Sequence, residues 1–209
     1  MPLPRCILFL NNPTWLAMQR YFMGLVLSGL ALRLMLEQKT DGLSMWIERL
    51  DASHALDYRA LMLEAYDLHP QAFTSSVRER AAMPLDWWES RLTGKLDAVL
   101  GAFEKGRLAG IVGLAFESRE KARHKVTLFG MYVSPTVRQR GLGYQLVQAA
   151  LAEAQSHAGL RLIQLTVTAG NDAAFNLYQR CGFVQFGLES MAVRVGEDYF
   201  DKIHMWREL

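Results

Sequence analysis

Cysteine is almost missing from these 209 residues: Cys6 and Cys181 are the only two, far apart and outside any CxxC or Cys/His spacing. That excludes a disulfide framework and a cysteine-based zinc site, and it makes a reducing cytoplasm the expected compartment. A charge excess is missing too. Lys and Arg number 23 against 21 Asp and Glu, a formal +2, without the large basic surplus that marks a nucleic-acid binder. Long apolar runs are absent: Arg20 and Arg33 enclose only the uncharged segment 21–32, short of the roughly 20 residues a membrane-spanning helix needs. The same region lacks a signal peptide's layout, because NNPTW at 11–15 splits its apolar blocks and no clean small-residue cleavage site follows. No internal repeat or low-complexity tract is present.

What is there divides at Met45. Upstream, Arg5, Arg20, Arg33 and Lys39 oppose Glu37 and Asp41, so the whole formal charge of +2 lies in residues 1–44 and the remainder is neutral. Residues 1–44 are read first as an upstream extension of the gene model, with Met45 as the natural start, and second as an appended amphipathic helix; residues 45–209 form the expected single domain, long enough for a full hydrophobic core. Within it, SMWIERL from Ser44 has strand character, and Ala55, Tyr58, Leu61, Met62 and Ala65 recur at helical spacing after the capping candidates Asp51 and Ser53. HPQAFTSS forms a loop, and PLDWWESRL a short helix opened by Pro84. Two β-rich runs, from Ala98 and from Leu108, flank Lys105–Gly106–Arg107 as a hairpin. A central strand is expected over Val126–Val133, a helix with its stripe on Leu142, Leu146, Val147, Ala150, Leu151 and Ala154, a strand over Arg161–Thr168 and a helix over Asp172–Cys181 closed by Gly182. FVQFG, MAVRV and DKIHMWREL end the chain as short strands with Gly187 and Gly196 at turns. The order predicts a mixed α/β domain with antiparallel strands first and a partly parallel strand–helix–strand core after them.

The chemistry concentrates where the strand ending at Val133 turns through Pro135 into the helix. Helix-start N–H groups lack intrahelical partners, the dipole favours anions, and glycines let a phosphate approach the backbone. Arg138 and Arg140 add donors whose fork matches phosphate. The bland alternative is a tight turn with two solvated arginines. A dinucleotide GxGxxG is excluded because Leu146 stands where the third glycine would, and a P-loop because no GK precedes Ser or Thr.

RxxGxG at Arg138–Gly143 resembles the Q/RxxGxG/A segment of the GNAT superfamily of N-acetyltransferases. A second segment strengthens the likeness: AGNDAAFNLYQRCGF resembles the family's N-x-x-A-x-x-L-Y-x-x-x-G-F pattern, with Asn171, Ala174, Leu177, Tyr178, Gly182 and Phe183 in place. The likeness covers residues 45–209. It implies an acyl-CoA N-acyltransferase fold: a single mixed, mostly antiparallel sheet with a splayed parallel central strand pair, flanked by helices. It implies acetyl-CoA as co-substrate without a metal, and a small-molecule amine or protein amino group as acceptor attacking directly. It implies that Arg138, Gln139, Arg140, Gly141, Leu142, Gly143 and Tyr144 hold the pyrophosphate. By the same likeness the backbone of Met131, Tyr132 and Val133 aligns the pantetheine, Asn171 supports the cofactor or caps its helix, and Tyr178 is the general acid. Glu117 is the nominated base, with His124, Glu189 and His204 behind it. Trp87 and Trp88 either line an acceptor groove or pack their helix, and Cys181 is expected as a small buried apolar residue. A silent acetyl-CoA sensor, a pure interaction module, a transferase of longer acyl chains and a homodimer all remain compatible.

Overall fold

A computed structural model describes residues 45–209; the extension reading for residues 1–44 lies outside the described residues. Strands β1 (Met45–Arg49), β2 (Asp97–Glu104), β3 (Arg107–Phe116), β4 (Lys125–Val133), β5 (Leu162–Thr168), β6 (Val184–Val195) and β7 (Asp198–Glu208) form one sheet in the order β1-β2-β3-β4-β5-β7-β6. Every neighbouring pair is antiparallel except β4 and β5. That parallel pair exists because helix α4 (Leu142–Ser156) returns the chain to the start of the sheet before β5, as a parallel connection requires. The remaining helices are α1 (Ala55–Leu68), α2 (Val77–Ala81), α3 (Leu85–Thr93) and α5 (Asp172–Arg180).

Two hydrophobic cores lie against the sheet. Leu142, Leu146, Val147, Ala150, Leu151 and Ala154 give α4 its buried stripe, which packs on Val112, Leu114, Val126, Leu128 and Ile163. Each large side chain so buried stabilises the fold by roughly 1.5–3 kcal/mol. The second core joins α1 and α3 through Tyr58, Leu61, Met62, Trp88 and Leu92 to Val99 and Ile111.

Two irregularities position the site. Only Lys125, Val126 and Thr127 pair with β5, so β4 and β5 part company beyond Thr127 and leave a gap in the middle of the sheet. Between the pairs Gly113–Phe129 and Ile111–Tyr132, β4 holds one residue more than β3, a bulge carried by Gly130 at φ +60°. The extra residue shifts the side-chain alternation: Leu128 and Met131 face the α4 core, Phe129 and Tyr132 the α1/α3 core.

Two details differ from the sequence reading. Gly187 lies within β6, not at a turn, because one hairpin runs from Val184 to Glu208 and absorbs its irregularities as register shifts near Gly187 and Met191. The loop HPQAFTSS leads into α2, whose Ser76 side chain caps the Glu79 N–H while the Glu79 side chain returns to the Ser76 backbone. That S-x-x-E capping box was present in the sequence.

Candidate active site

The gap between β4 and β5 opens into a cavity of about 1420 Å³ lined by both strands, by the starts of α4 and α5 on one side, and by α1, α2 and α3 on the other. It therefore reaches both cores through the sheet, a geometry in which two ligands can meet end to end.

On the α4 side, the loop 138–141 takes two left-handed residues, Gln139 at φ 66° and Gly141 at φ 77°. No side chain caps α4. The first N–H bonded within the helix is that of Gln145, to the Gly141 carbonyl at 3.1 Å. The N–H groups of Leu142, Gly143 and Tyr144 thus stand at the positive end of a helix of fifteen residues without intrahelical partners. All three residues line the cavity with Arg138, Gln139 and Gly141, a donor set suited to a diphosphate. Gly143 has a packing reason as well: a Cβ there would lie 3.3 Å from Leu177 Cδ2.

Arg138 reaches back into the cavity. Its Nε donates to the Val133 carbonyl at 2.9 Å, its Nη2 donates to His69 Nε2 at 3.0 Å, and its guanidinium lies 5.6 Å from the Tyr132 ring. Burial, then the Arg138 charge, hold His69 below its ordinary pKa, so the ring stays neutral and accepts. Arg140 does otherwise. Its guanidinium pairs with Glu104 on β2 and is absent from the cavity wall, which corrects the expectation of a phosphate-facing side chain: the nearby carboxylate takes the charge.

Met131, Tyr132 and Val133 line the cavity where β4 has lost its β5 partner. Tyr132 Oη donates to Glu64 Oε1 at 2.8 Å and Ser134 Oγ donates to the same oxygen at 3.1 Å, which ties the strand end to α1. Asn171 caps α5, its Oδ1 accepting from the Ala174 N–H at 3.2 Å. Its capping role is thus met, with the residue still on the wall. Tyr178 also lines the cavity, almost fully buried, with its ring edge-on to Phe183 at 5.8 Å. Burial first, then Cys181, push its hydroxyl pKa up, so it keeps its proton throughout the neutral range. Cys181 is a buried free thiol.

Glu117 lies away from this arrangement. It follows the end of β3, its Oε2 accepts from Arg119 Nε at 3.0 Å and Nη2 at 2.9 Å, and it does not line the cavity. The nomination as base is corrected on that placement. His124, Glu189 and His204 are also off the wall, and Glu189 pairs with His204 at 3.1 Å. Of the two roles weighed for the tryptophans, packing is met by Trp88, buried against Tyr58; both rings also line the cavity.

Three wall residues escaped the sequence reading. His69 ends α1, Arg80 sits in the unforeseen helix α2, and Lys202 lies on β7, buried, its Nζ donating to the Ala72 carbonyl at 2.7 Å and Thr168 Oγ1 at 2.8 Å. The capping box could have located Arg80. Nothing local marks Lys202, whose partners lie 34 and 130 residues away in the chain. Among the described residues no cluster of three or more His, Cys, Asp or Glu could hold a metal ion.

Comparison with known proteins agrees with this arrangement. Residues 62–183 match the Acetyltransferase (GNAT) family. The chain is 29% identical over 150 residues to a phosphinothricin N-acetyltransferase of Alcaligenes faecalis, covering 69% of this chain and 74% of that protein. Among solved structures, a putative acetyltransferase from Salmonella typhimurium with its cofactor acetyl-CoA superposes with a TM-score of 0.66 at 23% identity, over 79% of this chain and 94% of that one. A putative acetyltransferase from Acinetobacter baylyi gives 0.69 at 18% identity, over 79% and 93%. Those two share the fold; the family match spans more than half of the chain and takes in the bulged strand, the uncapped helix and Tyr178, and on that ground the protein belongs to the GNAT family of N-acetyltransferases.

Proposed function

We propose that the protein transfers the acetyl group of acetyl-CoA to a primary amine by direct attack within a ternary complex. The observation that carries this reading is the cavity through the sheet, with an uncapped helix start at one end and a separate aromatic chamber at the other. Acetyl-CoA supplies an acyl group activated as a thioester. Arg138 and the N–H groups of Leu142, Gly143 and Tyr144 bind its diphosphate, while Gln139 and Gly141 shape the loop around it. The backbone of Met131, Tyr132 and Val133, freed from β5, aligns the pantetheine arm and offers an N–H to the carbonyl oxygen as negative charge develops. Tyr178 donates a hydrogen bond to the departing sulfur. The amine enters from the side of α1, α2 and α3, and a small molecule is the favoured acceptor given the relative that acts on phosphinothricin. Among the described residues no helix is long and apolar enough to cross a membrane; the scarcity of cysteine is what favours a cytoplasmic location, and residues 45–209 are the proposed catalytic domain.

The test is release of free thiol from acetyl-CoA against a panel of amines, beside calorimetric titration with acetyl-CoA. Amine-dependent thiol release is expected. Binding without release in any amine would replace the transferase by a sensor, and absence of binding would sink the cofactor site itself.

A further inference from the structure

Among the described residues the wall of the cavity carries Arg80, Arg91, Arg138, Arg180 and Lys202 and no Asp or Glu. Arg138 and Arg180 stand on the α4/α5 side. Of the three toward the amine chamber, two are already matched. Arg91 Nη1 lies 2.8 Å from Asp97 Oδ2. Lys202 spends its ammonium donors on the carbonyls of Gln71 and Ala72 and on Thr168 Oγ1.

Arg80 is different. Its guanidinium is stacked on Trp87 at 4.6 Å, and Nη2 donates to Ser75 Oγ at 2.7 Å. Its Nε is buried without a hydrogen-bond partner, and no described carboxylate forms an ion pair with it. Of its five N–H donors, that on Nε has almost no accessible surface, one on Nη2 goes to Ser75, and the Tyr66 hydroxyl lies within interacting reach; Nη1 makes no described hydrogen bond and is left for a ligand. A half-buried cation without a carboxylate partner is costly unless an anion meets the donors it leaves open. The fork is also held in orientation, by Trp87 on its face and Ser75 on one edge, as bidentate recognition of an oxyanion requires. Tyr58, Tyr66, Trp87 and Phe129 supply the apolar surroundings.

Resting on the acetyl-transfer reading of this cavity, we propose that the acceptor is an amine that also bears an oxyanion, a carboxylate or a phosphonate-type group, and that Arg80 binds the oxyanion. The acceptor is thus of amino-acid type. Polyamines and other polycations are disfavoured, since an additional cation would enter a chamber where Arg80 and Lys202 have no carboxylate partner among the described residues and the wall offers none in return.

The experiment compares matched probes on the full chain: L-phenylalanine and L-methionine, their amides, phenethylamine, and 1-amino-2-phenylethylphosphonate. Calorimetry with coenzyme A present reads binding, and thiol release from acetyl-CoA reads turnover. At least one acid is expected to bind about 10- to 100-fold more tightly than its amide, and the phosphonate arm separates the two oxyanion sources. Arg80→Gln should abolish that ratio while leaving KM for acetyl-CoA within about twofold. Acids that bind no better than their amides, no binding by any acid or by the phosphonate, or a preference that survives Arg80→Gln overturns the proposal. The comparison on the unmodified protein stands even if Arg80→Gln folds poorly. Failure of the acetyl-transfer reading is seen separately, as absent acetyl-CoA binding or absent thiol release while the acid–amide ratio is still read by calorimetry.

Discussion

Tyr178→Phe removes a single oxygen from a ring that is otherwise core. Tyr178 is 5% exposed and meets Phe183 edge-on, so phenylalanine keeps the packing and stability should change by no more than about 1 kcal/mol. The catalytic effect is larger and can be bounded. Burial and then Cys181 hold the hydroxyl above its ordinary pKa of 10.0, whereas an alkyl thiol sits at about 8.5. Complete proton transfer to the sulfur is therefore uphill by more than roughly 1.5 pKa units, about 2 kcal/mol. Tyr178 then acts chiefly by donating a hydrogen bond to a sulfur gaining charge, worth about 1.5–3 kcal/mol. Losing it should lower kcat roughly 10- to 150-fold, toward the lower end of the range for general acids. The assay is steady-state thiol release at saturating acetyl-CoA and amine, with KM for acetyl-CoA measured alongside. The wild-type kcat should show no loss from Tyr178 ionisation below pH 10, because the folded-state pKa is raised and the proton stays on. A variant kcat within about twofold of wild type, or a loss confined to KM, would refute the role.

Three further outcomes follow from the geometry. Gly141→Ala introduces a Cβ that meets nothing within 4 Å but must sit at φ 77°; about 1–2 kcal/mol should be lost, read as a lower Tm and a weaker acetyl-CoA titration, and an unchanged Tm would show that the loop is not held as described. Arg138→Ala should weaken acetyl-CoA about tenfold and Arg140→Ala by less than about threefold, because only the former side chain faces the cavity; equal losses by calorimetry would remove the distinction. Lys202 has its ammonium pKa depressed below 10.5 by burial, so the unfolded chain binds more protons in the window beneath that value and stability rises with pH there. Urea midpoints should therefore climb toward pH 10 for the wild type relative to Lys202→Met, and parallel curves would contradict the buried charge.

The parts of the site that the sequence exposed are those written locally. The loop after Val133 announces itself because turn glycines, a proline and helix periodicity are all features of neighbouring residues, and the same holds for the run from Asn171 to Phe183. The positions of α1, α3, α4 and α5 followed from their apolar stripes and stop signals. What stayed hidden depends on pairing between distant segments. The bulge at Gly130 exists only relative to β3. Arg140 looks like a phosphate ligand until the fold brings Glu104 beside it. Glu117 looks available until Arg119 is seen to hold it, and Lys202 draws no notice until the segment at Gln71 and Ala72 is laid across it. Charge and spacing name candidates; counter-ions choose among them.

The same choice bears on how the attacking amine loses its proton. Among the described residues the cavity wall offers no carboxylate to receive it and a single imidazole, that of His69, whose Nε2 is committed to Arg138. An amino-acid-type acceptor reduces the need for a base through its own electrostatics. In water its carboxylate stabilises the adjacent ammonium; paired with Arg80, that carboxylate no longer does so, and Lys202, which has no described carboxylate partner, adds repulsion. Both effects lower the pKa of the bound amine, so a larger fraction is neutral and ready to attack, with water as the proton's exit. On the proposed acetyl-transfer reading, recognition of the oxyanion and activation of the amine are one event, and a cation-lined wall is compatible with an amine acceptor.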